Sequence, residues 1–209
     1  MASSVAPLCV AFLHPDLGLG GAERLVVDAA VGLAKKGHSV SVFTSHYDPA
    51  RSFAETRDNS FSVFVSGDWM PRTMFGGLHI VFALLRAVWL AVYVALTAPH
   101  VDAFVCDQVA IYVPVLRILR PNARILFYCH FPDQLLSARG GCLKALYRAP
   151  FDALEEFCTN AAHVVVVNSR FTRDVVRDTF ASMRNRELEV LYPCIDVQSP
   201  SKVISTRTR

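Results

Sequence analysis

Short apolar runs alternate with longer amphipathic stretches along most of the chain. The runs are followed by turn residues, which is typical of buried strands. The longer stretches repeat apolar residues at helical spacing, which predicts surface helices. This alternation predicts βαβ units and an α/β fold: a parallel sheet with helices on both faces. Strands are predicted at residues 8–13, 39–44, 61–65, 103–106, 124–129 and 163–167, and helices at 23–36, 113–119 and 170–180.

Residues 78–96 form the most apolar stretch of the chain, and a helix of that length would span a bilayer. Arg86 near its centre disfavours a free span, because a central arginine is costly in hydrocarbon. His79, Arg86 and Tyr93 recur every seven residues and therefore share one stripe. The stripe favours a helix that lies in the membrane interface or docks on the domain while touching lipid. A buried crossover helix and a true transmembrane span remain open as alternatives.

Composition fits a single α/β domain with an unusual apolar excess. Of the 209 residues, 53% are hydrophobic and 19% charged, and residues 78–96 account for much of that excess. The net charge of +3 is spread along the chain, so no nucleic-acid partner is predicted. The six cysteines are scattered without zinc spacing, so no metal or other cofactor is predicted. The chain lacks a signal-peptide core and an N-glycosylation sequon, which favours the cytosolic side and reduced thiols.

A glycine-rich loop joins the first predicted strand to the first predicted helix. Gly18, Gly20 and Gly21 would let a ligand approach the main chain, and the helix N-terminus beyond them attracts anions. The loop predicts binding of a nucleotide or phosphosugar, with a ligand-free turn as the alternative. Glu23 replaces the third glycine of the dinucleotide motif, and no acid follows the second strand until Asp48. NAD binding is therefore disfavoured, although a small nucleotide-binding oxidoreductase remains the hypothesis from another enzyme class.

Several polar side chains directly follow predicted strands, where ligands of parallel α/β sheets bind. His130 has Pro132 shortly after it, so it should face the ligand crevice, where a neutral imidazole can hydrogen-bond a sugar hydroxyl or steady a developing charge. It is the predicted catalytic residue, and a structural histidine bonded to a loop carbonyl is the alternative. Asp133 is predicted to cap a helix. The strand-end side chains are His14, His46, Asp107, His130 and Asn168, of which His14 and Asp107 are predicted to bind substrate.

A basic segment follows these residues and carries Arg139, Lys144 and Arg148 among apolar positions. Such a mixture suits a phosphate-rich membrane surface. It suits a solvated helix face equally well. The sequence alone leaves both interpretations open.

The chain also resembles a known family of enzymes over residues 8–194. The resemblance rests on the segments HPDLGLGGAERLVVDAA, SHYDP, GDW, CDQV, FYCHFPD, LYRAPFDALEE, VVVNSRFT and VLYP. They are similar to the N-terminal half of the GDP-mannose-dependent mannosyltransferases of dolichol-linked oligosaccharide assembly, retaining GT-B glycosyltransferases related to family 4. Members of the family add an α-1,3- and then an α-1,6-mannose on the cytosolic face of the endoplasmic reticulum.

The resemblance implies a fold, partners and site residues. The family has two Rossmann-like domains facing across a cleft, with acceptor binding mostly by the first and nucleotide-sugar binding mostly by the second. Gly20 and Gly21 match its loop near the donor phosphates and the acceptor, and His130 matches a histidine beside the transferred sugar. Residues 78–96 match its membrane-associating segment. The implied partners are GDP-mannose, dolichol-linked oligosaccharide, membrane lipid and glycosyltransferases of the same pathway, with no nucleic acid.

The resemblance ends where the donor domain of the family would begin. Residues 1–194 are expected to form the acceptor-side domain, and residues 195–209 are a polar tail in place of a donor domain. The expectation is therefore a truncated or alternatively spliced form of the mannosyltransferase that is inactive alone. The alternative is a non-catalytic membrane-bound or regulatory product that pairs with the full-length enzyme.

Overall fold

A parallel β-sheet forms the centre of the molecule in a computed structural model that describes residues 6–73, 78–136 and 142–194, without the side chains of residues 142–145. The sheet order is β3-β2-β1-β4-β5-β6-β7, and every neighbouring pair is parallel. This confirms the predicted α/β architecture. The strands are β1 (Cys9–His14), β2 (Ser39–Thr44), β3 (Ser62–Val65), β4 (Ala103–Asp107), β5 (Arg124–Cys129), β6 (Val164–Val167) and β7 (Glu189–Val190).

Helices cover both faces of the sheet, because successive side chains of a strand point to opposite sides. In β1, Val10 and Phe12 enter one apolar core, whereas Ala11 and Leu13 enter the other. The first core packs against α1 and the second against α2 and α3. The helices are α1 (Gly21–Lys35), α2 (His79–Thr97), α3 (Tyr112–Leu119), α4 (Asp133–Leu136), α5 (Cys142–Asn160) and α6 (Arg170–Thr179).

Helix α5 was not predicted from the sequence. Pro150 lies inside it and removes one backbone N–H from the helical ladder, a feature that usually argues against a helix. Of the predicted basic segment, Arg139 and the Lys144 side chain lie outside the described residues. Arg148 is buried and donates a hydrogen bond to Asp152 at 3.2 Å, so the interpretation of this residue as part of a solvated face was wrong.

The apolar helix α2 packs along the domain with Arg86 and Tyr93 of its polar stripe turned inward, whereas His79 of the same stripe is exposed. Arg86 is buried and donates hydrogen bonds to the carbonyls of Met70 and Ser45, at 3.0 and 3.1 Å. The outer face carries Leu85, Trp89 and Leu96, which are 49%, 41% and 76% exposed. By length and composition, α2 is the one helix of the described residues that could cross a membrane, and 33% of its most apolar window is buried.

Candidate functional site

Three of the predicted strand-end side chains meet at the carboxyl edge of the sheet. Strand β4 lies between β1 and β5, so Asp107 at its end stands between His14 and the residue that follows β5. The Asp107 carboxylate lies 2.7 Å from His14 Nδ1 through one oxygen and 2.7 Å from His130 Nε2 through the other. His14 and Asp107 are fully buried, whereas the His130 side chain is about a quarter exposed. His130 is therefore the member that can reach a ligand.

The charges of this cluster support one another. Burial opposes ionisation of Asp107, but hydrogen bonds from His130 and His14 outweigh it and lower the pKa of this carboxyl. Burial likewise opposes a charge on His14, yet its contacts with Asp107 and Glu23 raise its pKa to about 9. The Glu23 contact is an ion pair rather than a hydrogen bond, since 3.7 Å separates Oε1 from His14 Nε2. At neutral pH, His14 is a buried cation between two carboxylates.

The orientation of the His130 ring is fixed from several sides. An ionised carboxylate only accepts hydrogen bonds, so His130 must donate to Asp107 through Nε2. Tyr128 packs against the ring with 4.9 Å between centroids. Asn168 donates through its side-chain amide to the His130 carbonyl at 3.0 Å. Nδ1 makes no hydrogen bond to the described residues, so it is available to a ligand.

The glycine loop joins this cluster through Glu23. Gly20 is the N-cap of α1, and the Glu23 carboxylate folds back so closely over it that a Cβ there would clash. At Gly21, no atom lies within 4 Å of where a Cβ would stand. A side chain at Gly20 would therefore displace the flexible end of Glu23, whereas Gly21 borders open space. Sequence reasoning treated Glu23 only as a departure from a motif and missed its place in the cluster.

Other predicted residues lie apart from this cluster. His46 bonds Asp68 through Nδ1 at 2.8 Å on the surface. Asp133 begins α4, and the first N–H groups of that helix donate to the Glu155 carboxylate at 2.6 and 3.1 Å. The cap is therefore Glu155, whose burial raises its pKa to about 7. In the described part of the chain, no group of three or more histidine, cysteine or acidic side chains is placed to hold a metal ion.

A cavity of about 220 Å³ opens at the carboxyl edge of the sheet, between α2 and the loops that follow β1, β2 and β4, and none of the four cluster residues lines it. Ser45, Arg86 and Tyr112 contribute its polar wall. Sequence reasoning did not single out Ser45 or Tyr112. Ser45 directly follows β2, so the rule that ligands bind where parallel strands end could have identified it. Tyr112 begins a helix and cannot be told from other apolar helix residues by its sequence pattern.

The fold is shared with solved glycosyltransferase structures. Sucrose-phosphate synthase from Thermosynechococcus elongatus matches with a TM-score of 0.63 and 17% identity, covering 88% of this chain and 48% of that one. The Anabaena HepE structure in complex with UDP and glucose matches with a TM-score of 0.55 and 18% identity, covering 90% and 45%. The described sheet and helices therefore have the Rossmann-like fold of one domain of a GT-B glycosyltransferase.

Sequence comparison defines the family. Residues 19–199 match the model of Glycosyltransferase Family 4, so the chain belongs to that family. The alpha-1,3/1,6-mannosyltransferase ALG2 of Homo sapiens is 49% identical over 204 residues, which are 96% of this chain and 49% of that protein. The Saccharomyces cerevisiae protein of the same name is 46% identical over 193 residues, 91% of this chain and 38% of that protein. The chain thus spans half or less of the length of these curated relatives.

Proposed function

We propose that this chain provides the acceptor-side domain of a mannosyltransferase. The enzyme moves mannose from GDP-mannose to dolichol-linked Man-GlcNAc2 intermediates, first in α-1,3 and then in α-1,6 linkage. The observation that carries the proposal is the exposed imidazole of His130, held by a buried carboxylate at the ligand-binding edge of the sheet. Its substrates are taken from the name and family of the relatives, which are about half identical to this chain.

His130 is the catalytic residue in this proposal. In mannosyl transfer, the bond from the anomeric carbon to the diphosphate oxygen breaks, an acceptor hydroxyl oxygen bonds that carbon, and the hydroxyl proton passes to the departing diphosphate oxygen of GDP. His130 Nδ1 meets the transferred mannose, where a fixed polar group stabilises charge that develops in the transition state. His14 and Asp107 were predicted to bind substrate, and because both are buried we assign them to positioning His130.

The glycine loop forms one side of the proposed cleft. Gly21 lies at the first position of α1, where backbone N–H groups and the helix dipole favour negatively charged groups. The open space beside Gly21 lets the donor diphosphate or the acceptor pass close to the main chain. Gly20 serves the same cleft by leaving room for the Glu23 carboxylate.

Helix α2 is proposed to lie in the membrane interface on the cytosolic face of the endoplasmic reticulum. Trp89 lies on the same outer face as the exposed leucines. Its ring contacts that of Trp69 edge-on, with 5.5 Å between centroids. Tryptophan is enriched at the headgroup level of membranes. The same helix supplies Ala83 and Arg86 to the cavity at the carboxyl edge of the sheet, so a lipid-anchored acceptor and the site would share one edge of the domain. Other glycosyltransferases of the pathway are the proposed protein partners.

A fused enzyme tests the proposal. Residues 1–194 are joined to the C-terminal half of the Homo sapiens relative, and transfer from labelled GDP-mannose to dolichol-linked Man-GlcNAc2 is measured in membranes. The fused enzyme should extend the acceptor. His130→Ala should lower turnover by about 100-fold or more, the usual effect of removing a positioned acid–base or electrostatic group.

The matched control is His100→Ala, which removes an exposed imidazole bonded to Asp102 away from the carboxyl edge. This control should retain full turnover. A well-folded fused enzyme that fails to extend the acceptor would contradict the mannosyltransferase proposal. Unchanged kinetics of His130→Ala would contradict the catalytic assignment and show that His130 has a structural role.

A further inference from the structure

The turn that carries His130 is held at both ends by side chains from other elements. At its start, the Asn168 amide donates to the His130 carbonyl at 3.0 Å. At its end, the Glu155 carboxylate of α5 accepts the N–H groups of Asp133 and Gln134 at 2.6 and 3.1 Å, each through a separate oxygen. The placement of His130 therefore depends on a carboxylate from a helix that contributes nothing to the charged cluster.

The segment between these two anchors is stiff. Pro132 has a fixed φ, and proline disfavours helical angles at the residue before it, which is Phe131. The Leu135 N–H closes the following turn by donating to the Pro132 carbonyl at 3.1 Å. A stiff segment transmits a shift at one end to the other. Movement of the start of α4 would therefore displace the His130 ring.

The charge of Glu155 lowers the stability of the fold. Burial raises the pKa of Glu155 to about 7, and the charges of Asp133 and Asp152 add to the rise. Because the carboxyl ionises at lower pH in the unfolded chain, its ionised form destabilises the folded state at neutral pH. A glutamine of the same size would avoid this cost. A carboxyl of this kind beside the turn of His130 indicates a role other than stability.

Charged and titratable groups face Glu155 from several elements packed around it. The Arg148 guanidinium is bonded to Asp152 at 3.2 Å, on the turn of α5 that precedes Glu155. A cavity of about 310 Å³ between α2 and α5 is lined by Glu155, which is partly exposed, so water can exchange its proton. The surrounding groups are Asp133 of α4, Arg148, Asp152 and Cys158 of α5, His79 of α2 and Cys129 of β5.

We propose that Glu155 is a positioning residue for His130, whose ionised carboxylate pins the turn that carries the imidazole and whose protonation releases that turn. An ionised carboxylate offers both oxygens to N–H groups, and hydrogen bonds to a charged acceptor are about twice as strong as neutral ones. Protonation converts one oxygen into a hydroxyl, so one of the two bonds weakens. The proposal rests on the proposed function only for the catalytic role of His130.

Hydrogen exchange followed by NMR tests this coupling on the 209-residue chain in mild detergent, without any transfer reaction. Protection of the Asp133 and Gln134 amides, corrected for the intrinsic effect of pH, should rise about tenfold as Glu155 ionises between pH 5.5 and pH 8.5. In Glu155→Gln, protection should stay low at every pH. The His130 Nε2 proton, which is bonded to Asp107, should exchange at least about threefold faster in this variant at pH 8.5.

Kinetics of the fused enzyme measure the consequence for turnover. The ratio of wild-type kcat to that of Glu155→Gln should rise from about 1 at pH 5.5 to about threefold to tenfold at pH 8.5, because a displaced catalytic group slows the reaction. KM should change less than about twofold, since Glu155 does not touch the substrate. The melting temperature of the variant at pH 8.5 should equal or exceed that of the wild type, because glutamine avoids the buried charge.

Two control variants are available close to Glu155. Glu156→Gln changes the neighbouring carboxylate, which accepts the Ser182 N–H at 2.7 Å instead of an N–H of α4. It should alter neither amide protection nor kcat. His79→Gln removes the imidazole that lines the same cavity and should leave the pH dependence of amide protection unchanged.

Several results would overturn the proposal. Amide protection that is level across the pH range, or that still rises in Glu155→Gln, would show that this carboxyl does not control the turn. Unaltered exchange of the His130 Nε2 proton would limit Glu155 to capping α4. Equal loss of kcat at every pH with a lower melting temperature would assign it a structural role. If both exchange measurements respond as expected while the fused enzyme transfers no mannose, the proposed function fails and the coupling of Glu155 to His130 stands.

Discussion

Single residues of the site form a connected chain in which the charges of Glu23, His14 and Asp107 alternate and Asp107 accepts a hydrogen bond from His130. Buried ions are expensive to desolvate, and replacing them by apolar side chains is often neutral or stabilising. Stability alone is therefore a poor reason for a buried cation at His14. Together with the hydrogen bond from His130, the His14 cation keeps Asp107 ionised, and Asp107 in turn fixes the ring of His130.

Alanine substitutions at the two adjacent glycines separate a structural role from a ligand-binding role. Gly20→Ala should destabilise the fold and lower turnover of the fused enzyme, because its Cβ would displace the Glu23 carboxylate from His14. Gly21→Ala should keep the fold or stabilise it by up to about 1 kcal/mol, since alanine is the better helix former. It should nevertheless raise the KM for a substrate that passes over the loop. Thermal unfolding and steady-state kinetics measure both effects.

Each glycine variant serves as the control of the other. Equal loss of stability in both would mean that the open space beside Gly21 is not available in solution. A KM unaffected by Gly21→Ala would remove Gly21 from the substrate-binding surface.

The strand-end rule predicted much of the site because it depends on topology alone. His14, Asp107 and His130 follow three adjacent parallel strands, whose carboxyl ends share one edge. Glu23 escaped prediction because its position depends on how its side chain folds back over Gly20. The polar wall that Ser45 and Tyr112 contribute to the cavity depends on packing between distant elements, which a single sequence does not reveal.

Among the elements, α2 differs most from an ordinary surface helix. Arg86 of its polar stripe is bonded inside the domain, and Tyr93 of the same stripe packs against the core. Leu85, Trp89 and Leu96 face outward instead. The sequence predicted the helix and its stripe, but periodicity cannot tell which face meets the domain. The fold decides this, because Arg86 finds buried carbonyl partners there.

Replacing two outer leucines of α2 should weaken membrane binding. Burial of one leucine side chain contributes about 2 kcal/mol, so Leu85→Gln with Leu96→Gln should lower the partition coefficient onto vesicles more than tenfold. Flotation with phosphatidylcholine vesicles containing phosphatidylinositol measures the bound fraction. Phe171→Gln removes a 70% exposed side chain on α6 and should leave binding unchanged. A double variant that still resists alkaline extraction from membranes would indicate a spanning helix.

The strands and most helices were predictable from sequence because their patterns are local. Strands β2 and β5 begin and end where the hydrophobic pattern places them, and α6 begins after Ser169, which caps it by accepting from the Thr172 N–H at 3.1 Å. Helix α5 was missed because Pro150 interrupts its pattern. Packing of α5 beside α3 outweighs the missing N–H, and this tertiary contact is not encoded within the segment itself.

For the molecule as a whole, the charged cluster joins the centre of the sheet to α1. Asp107 ends β4, its two histidines end or follow β1 and β5, and Glu23 lies in the first turn of α1. Unfolding must separate all four groups and return His14 to its ordinary pKa of 6.5 from about 9. Global stability should therefore depend on the proton of His14.

The free energy of unfolding should fall by about 2 kcal/mol between pH 7 and pH 9, because His14 holds its proton more tightly in the folded state. That contribution is complete below pH 6.5 and is lost as the pH rises through 9. Burial raises the pKa of Glu155 to about 7, so the proton of Glu155 changes the free energy of unfolding mainly below this pH window. Burial also raises the pKa values of the Cys129 and Cys158 thiols, to about 12 and about 11. Their ionisation changes the free energy of unfolding mainly above this pH window.

Urea unfolding in mild detergent, followed by tryptophan fluorescence across that pH window, measures the decline. His14→Gln should flatten the profile, because no group with a raised pKa remains between Glu23 and Asp107. Glu23→Gln keeps the histidine but removes one carboxylate, so its profile should fall less steeply and at lower pH than that of the wild type. A wild-type profile that is level from pH 7 to pH 9 would show that His14 is neutral in the folded protein. The hydrogen bond from His130 would then be the main contact that lowers the pKa of Asp107, and the charge of His14 would not be what holds His130 in place.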